Sequence, residues 1–98
     1  MKKVELQLTE YFGHHLADGA KAEEFRMVRI DPYVESCDEI VLDFTGIRNI
    51  NSSFANALVA GLIQEHGPAV LNKVVFQGCN PVVRVLINSA ASLGADLA

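Results

Sequence analysis

The sequence predicts a small α/β domain: a mostly parallel sheet of three to four strands with three to four helices, in βαβαβα order. Three observations predict it. Hydrophobic patterning switches repeatedly between a period of two and a period near 3.6. A nearly unbroken apolar run, Ile40-Val41-Leu42-Asp43-Phe44, suits a strand covered on both faces or one at the middle of a parallel sheet. The helical stretches between successive strands are long enough for crossovers, which are right-handed in βαβ units.

Taken in order, Val4, Leu6 and Leu8 alternate with Glu5, Gln7 and Thr9, the pattern of a half-exposed edge strand. Tyr11-Phe12-Gly13 breaks it, as a turn or a short return strand. The stretch 18–37 reads as an irregular helix capped by Asp18, with apolar contacts from Phe25, Met27, Val28 and Ile30. Pro32 predicts a break near Ile30 or Asp31, since it lacks an N–H and collides with the preceding turn. Tyr33 and Val34 continue as a second helical piece. After the central strand, Asn51-Ser52-Ser53 precedes a clear helical pattern. Phe54, Leu58 and Leu62 form one row; Ala55, Val59 and Ile63 form the next. Together the rows are wider than the stripe of about 100° a surface helix needs, so this helix is expected to meet a partner chain as well as the sheet. Gly67-Pro68 stops it. Lys73 to Gln77 is the last strand. Asn80 caps the final helix, Pro81 suits its first position and Gly94 can end it. Val82, Val83, Leu86, Ile87, Ala90 and Leu93 line one side of it.

Half of the 98 residues are hydrophobic, too many for a disordered segment, and the length suits one domain spanning 1–98. The formal charge of −4 with scattered cations argues against a nonspecific grip on nucleic acid. No apolar run is long enough to cross a membrane, and no secretory core follows Met1-Lys2-Lys3, so a soluble, cytoplasmic protein is expected. Cys37 and Cys79 form no CxxC pair. One disulfide is arithmetically available, but two packed thiols in a reduced compartment are the preferred reading.

The turn after a parallel strand is where α/β folds place working residues, which directs attention to the stretch from Asp43 to Ser53. At a helix N-terminus the first N–H groups lack intrahelical partners and the dipole favours negative charge. A phosphate on Ser52 would be tolerated there and would act outward on whatever docks. The simpler reading is that one of Asn51, Ser52 and Ser53 is the N-cap. Asp43, inside an apolar strand, needs hydrogen-bond donors, and the backbone N–H groups of the loop before Ser52 are the expected ones. A Ser-His-Asp triad is not expected: there is no GxSxG elbow, and His66 lies at the far end of the helix that starts at Ser53. His14, His15 and Asp18 could approach a metal, but zinc wants three or four protein ligands, and a solvated loop is the expectation. No glycine-rich phosphate loop is present, and no cofactor is expected.

The string Val41-Leu42-Asp43-Phe44-Thr45-Gly46-Ile47-Arg48-Asn49-Ile50-Asn51-Ser52-Ser53-Phe54 resembles the STAS domain of bacterial anti-sigma-factor antagonists, in which a strand ending near an Asp leads to an Asp-Ser-Ser-Gly turn. Asn51 stands for that Asp and Phe54 for that Gly; the antagonists' phosphorylated serine falls on Ser52. More of the chain resembles a bacterial STAS-like family of unknown function, found alone or beside histidine-kinase-type ATPase domains. The matching segments are Asp18-Gly19 with Phe25-Arg26, Ile30-Asp31-Pro32, Leu42 to Ile47, Ser52 to Leu58 and Asn80 to Ala90. Asn56 stands where that family often has an acid. The resemblance implies a non-catalytic regulatory interaction module, with Asn51, Ser52, Ser53, Asp43 and Phe54 as site candidates. Its implied partner is a histidine-kinase-like (GHKL) ATPase or serine kinase. On this reading the partner would bury area around Phe54, Ala55 and Val59. Some STAS-fold relatives bind nucleotides or lipids, so an anion-sensing domain is the alternative. A self-associating scaffold, a homo-oligomer, is the third reading, suggested by the wide apolar helix.

Overall fold

The computed structural model describes residues 2–97. Strand β1 (Lys3–Gln7) runs directly into a short helix, α1 (Leu8–Phe12), and a two-residue strand, β2 (His15–Leu16), follows. Helix α2 (Gly19–Phe25) continues without interruption as a π turn (Arg26–Ile30) and ends in a 3-10 turn (Asp31–Tyr33). β3 (Glu39–Asp43) and the short β4 (Asn49–Ile50) lead into a second rod, 52–66, built of α3 (Ser52–Ala55), a π turn (Asn56–Ala60) and α4 (Gly61–His66). A 3-10 turn (Pro68–Asn72), β5 (Val74–Gln77) and the long α5 (Pro81–Leu97) complete the chain.

The sheet is parallel, with order β1-β3-β5, so the apolar run is its middle strand and β1 is an edge, as expected. β2 and β4 form a separate parallel pair. Leu6, Ile40, Leu42 and Val74 are buried with the helices, while Lys3, Glu5, Gln7, Val75 and Gln77 alternate to the exposed side. Val41 also lies on that side, yet it is buried between its register neighbours Glu5 and Val75.

Several elements differ from the expectation for local reasons. Leu8 is not the end of the edge strand: the chain turns into α1 there and drives Leu8 into the core with no exposure. Tyr11 and Phe12 are helical because their rings meet Phe25 edge-on at 4.9 and 5.2 Å, and Gly13 ends α1 at φ 73°. The break at Pro32 is present, but the second helical piece is one 3-10 turn. Gly94 does not end α5. A Cβ there would lie 2.9 Å from Ala60 Cα, so the missing side chain lets α5 cross rod 52–66 closely. Val83, Ile87 and Ala90 are buried on the packed side of α5 as expected, joined by Gly94, whereas Val82 and Leu93, expected on the same side, are exposed.

The wide apolar surface of rod 52–66 is used up inside the chain. The rod packs against α2 on one flank and α5 on another. Phe54, Ala55, Leu58, Val59, Leu62 and Ile63 are all fully buried. The partner-facing area expected around Phe54, Ala55 and Val59 is therefore core, because flanking helices cover the rows that one sheet face leaves over.

Candidate functional site

Asn51 fixes the tip of rod 52–66. Its backbone is extended (φ −99°, ψ 168°), and its N–H donates to the Leu16 carbonyl at 2.9 Å. Its side-chain Oδ1 accepts from the Phe54 N–H at 2.8 Å, the N-cap bond. Its Nδ2 donates to the Ala17 carbonyl at 2.7 Å, which ties the tip to the segment entering α2. The capping role thus falls to Asn51, and Ser52 and Ser53 are exposed. Phe54, next along, is sealed beneath the tip with Phe12 edge-on at 4.9 Å.

A second helix start meets this one. Asp18 caps α2, its Oδ1 accepting from the N–H groups of Ala20 and Lys21 at 3.0 and 3.2 Å. Gly19 lies so close to Ser53 that a Cβ there would overlap Ser53 Oγ. Ser53 is therefore hemmed by α2 on one side. Beside this junction an open groove of about 570 Å³ runs between α1 and α2, its lining including the rings of Tyr11, Phe12, Phe25 and Phe54 and the charged Asp18, Lys21, Glu24 and Arg29.

Asp43 belongs to a different place. It ends β3 in register with Gln7 and Gln77, so the three form a polar row across the carboxyl edge of the sheet. Its Oδ1 accepts from Thr45 Oγ1 at 2.6 Å and from the Thr45 N–H at 2.9 Å. The Thr45 N–H is a backbone donor of the loop before Ser52, as expected; the later part of that loop is tied to 14–17, through Arg48 N–H to the His14 carbonyl and through Asn51. The Thr45 hydroxyl, then the Thr45 N–H, hold the Asp43 carboxyl below the usual carboxylate range. Gly78 closes the row from β5: a Cβ there would overlap Thr45, and its φ of 72° favours glycine. Asn80 caps α5 by accepting from the Val83 N–H at 2.8 Å, and its Nδ2 reaches the Ile47 and Arg48 carbonyls, both at 3.1 Å. Cys79 and the buried Cys37 are free thiols. Burial is the main cause that pushes the Cys79 thiol up.

Each of the three histidines makes a side-chain hydrogen bond. His14 Nδ1 donates to the Gly46 carbonyl at 2.8 Å, and His15 Nδ1 donates to Asn49 Oδ1 at 2.7 Å. His66 Nε2 donates to Asp31 Oδ1 at 2.8 Å, at the opposite end of rod 52–66 from the serines.

That last bond is part of a network the sequence did not announce. Arg26, 8 % exposed, pairs through Nη1 with Asp31 Oδ2 at 2.6 Å, and its Nε donates to the Ala57 carbonyl at 3.1 Å. Arg26 opens one π turn and Ala57 lies in the other. A π turn frees carbonyls from the helical ladder, and the guanidinium satisfies one across the helix pair. Gly61 leaves room for it, since a Cβ there would lie 2.9 Å from Arg26 Nε. The nearest sequence signal is the Arg26-to-Asp31 spacing beside Pro32, together with a glycine in mid-helix.

Comparison with curated proteins and with solved structures gave no match. Among family models, one described as a STAS-like domain of unknown function (DUF4325) matches residues 21–84, from α2 through the first turn of α5, and contains the Asp43 turn and the Asn51-Ser52-Ser53 tip. Spanning about two thirds of the sequence, that match means the chain belongs to this STAS-like family.

Proposed function

We propose that this domain is a non-catalytic regulatory interaction module, and that Ser52 is the residue at which a kinase switches its binding. One observation carries the reading: Asn51 supplies the N-cap, so the Ser52 hydroxyl stands exposed at the start of a 15-residue rod without a capping duty. A kinase would move a phosphoryl group from a nucleoside triphosphate to Ser52 Oγ and take up the hydroxyl proton. The product carries a charge of about −1.5 to −2 at pH 7. The helix dipole tolerates that charge, so its effect falls on the docking partner rather than on the fold. Ser53, hemmed by Gly19, is the poorer acceptor. The non-catalytic part of the reading is supported by His66, which is bonded to Asp31 at the opposite end of rod 52–66 from Ser52.

The partner implied is a protein, of the histidine-kinase-like ATPase or serine-kinase class. Anion sensing draws less support, because side-chain caps already occupy the starts of both rod 52–66 and α5. Scaffolding by self-association loses its original motive, because the wide apolar face of rod 52–66 is buried within the chain.

The test is co-incubation with kinases of this class, read by mass spectrometry, together with binding of the Ser52→Ala and Ser52→Asp proteins. Phosphate on Ser52, with Ser52→Ala retaining the partner and Ser52→Asp losing it about tenfold or more, is the expected result. Identical binding by all forms removes the switch.

A further inference from the structure

Arg26 has hydrogen-bonding capacity that the chain does not use. Its planar guanidinium presents more N–H donors than the two that are spent, Nε on the Ala57 carbonyl and Nη1 on Asp31 Oδ2. Nη2 makes no hydrogen bond among the described residues, although Arg26 is only 8 % exposed. No buried side-chain nitrogen or oxygen among those residues lacks a partner, so Nη2 is not sealed in the core. It opens into a cavity of about 310 Å³ between α2 and rod 52–66, which Arg26 lines together with Glu23, Asn56, Gly61, Gln64 and Leu93. A Cβ on Gly61 would lie 3.2 Å from Nη2, so the bare backbone there keeps the approach to that nitrogen clear.

Two features mark this cavity as a site. First, its walls include both π turns: Arg26 opens one (Arg26–Ile30) and Asn56 opens the other (Asn56–Ala60). Such turns are rare and gather at functional sites. Second, its charges are opposite and leave each other unpaired. Glu23 stands one helical turn before Arg26 and lines the same cavity, yet it forms no salt bridge with Arg26 or with any other cation among the described residues. Asp31 and Ala57 hold the other two guanidinium nitrogens, so Nη2 is aimed before any ligand arrives, which lowers the cost of ordering it.

We propose that this cavity binds a free α-amino acid, with the ligand carboxylate on Arg26 Nη2 and its ammonium on the Glu23 carboxylate. A zwitterion is the ligand class that both charges fit. A simple anion would meet Glu23 and the Asp31 carboxylate behind Arg26, and a simple cation would meet Arg26. A zwitterion brings no net charge to a chain whose own formal charge is −4. The side-chain amides of Asn56 and Gln64 add donors and acceptors to the lining. Leu93, 39 % exposed, offers the apolar contact for the ligand's side chain, so a small aliphatic amino acid is preferred. The volume lies at the lower end for ligand pockets, which suits one amino acid better than a nucleotide. The proposal does not rest on the Ser52 switch.

The experiment titrates the isotopically labelled full chain with glycine, L-alanine, L-valine and L-leucine, following backbone amide shifts. The expected result is saturable shifts at Glu23, Arg26, Asn56 and Gly61 with at least one of the four, at a dissociation constant of about 1 mM or tighter. The N-acetyl derivative of that amino acid lacks the ammonium and its amide lacks the carboxylate; each should bind about tenfold more weakly or worse. Glu23→Gln, at an exposed position, should weaken the amino acid about fivefold or more and leave the N-acetyl derivative unchanged, a split that a merely structural role would not produce. Glu35→Gln, exposed outside the cavity, should change neither. Absence of saturable cavity shifts with all four amino acids, shifts confined to other surfaces, or full binding by Glu23→Gln would overturn the proposal. Undiminished binding of the N-acetyl derivative would mean that a plain carboxylate is the ligand, and would overturn it too.

Discussion

Asn51 is a short side chain that holds three segments at once: it caps its own rod, takes the Leu16 carbonyl through its backbone and reaches the Ala17 carbonyl through Nδ2. Asn51→Ala removes the cap and leaves the Ala17 carbonyl without that donor. The expected loss is about 1–2 kcal/mol of unfolding free energy, measured by urea denaturation. Asn51→Asp keeps the cap acceptor but gives up the Nδ2 donor, so its loss should come mainly from the Ala17 bond. That a cap lies within Asn51-Ser52-Ser53 is legible in the sequence, because these residue types prefer the position. Which of the three serves is not legible, because the choice depends on the β2–β4 pairing that brings Leu16 and Ala17 alongside.

Two rods and α5 form the helical side of the domain, and glycines govern how closely they approach. Gly94→Ala would place a methyl 2.9 Å from the backbone of Ala60 and 3.0 Å from Ile63 Cβ. Backbone cannot yield as a flexible side chain can, so α5 must shift. A loss of about 1–3 kcal/mol is expected, although alanine favours helix over glycine; thermal denaturation reads the sign directly. The apolar rows of rod 52–66 were legible by spacing, but their destination was not. A stripe wider than one sheet face requires a second cover, and periodicity cannot say whether the same chain supplies it. Here α2 and α5 do, and Phe54 is core. The π turns were not legible, because the spacing of Phe54, Leu58 and Leu62 fits an unbroken α-helix equally well.

At the scale of the whole molecule, the parallel sheet brings Gln7, Asp43 and Gln77 from three distant segments into one row, and Thr45 locks the middle member. The Asp43 carboxyl titrates below its unfolded value, so the ionised form is favoured by folding. Its contribution is present above the unfolded carboxylate pKa of about 3.9 and fades as pH falls through the lower folded value. Asp43→Asn should therefore flatten the acid limb of the stability–pH curve below about pH 4 and leave the curve near pH 7 parallel to that of the parent. Chemical denaturation across that range checks it.

The sequence by itself determined the fold class, the central strand, the edge strand β1, the Pro32 break and the starts of the helices at Asp18, within Asn51-Ser52-Ser53 and at Asn80. These follow from hydrophobic period and from cap and proline chemistry, which act over a few neighbouring residues. Tertiary structure alone decided which helix faces are covered, that Arg26 satisfies the Ala57 carbonyl, and that the open apolar groove lies between α1 and α2. Each of these joins surfaces or side chains whose meeting depends on how whole elements pack, and packing free energy is set by shape and burial among those elements rather than by the pattern within any one of them.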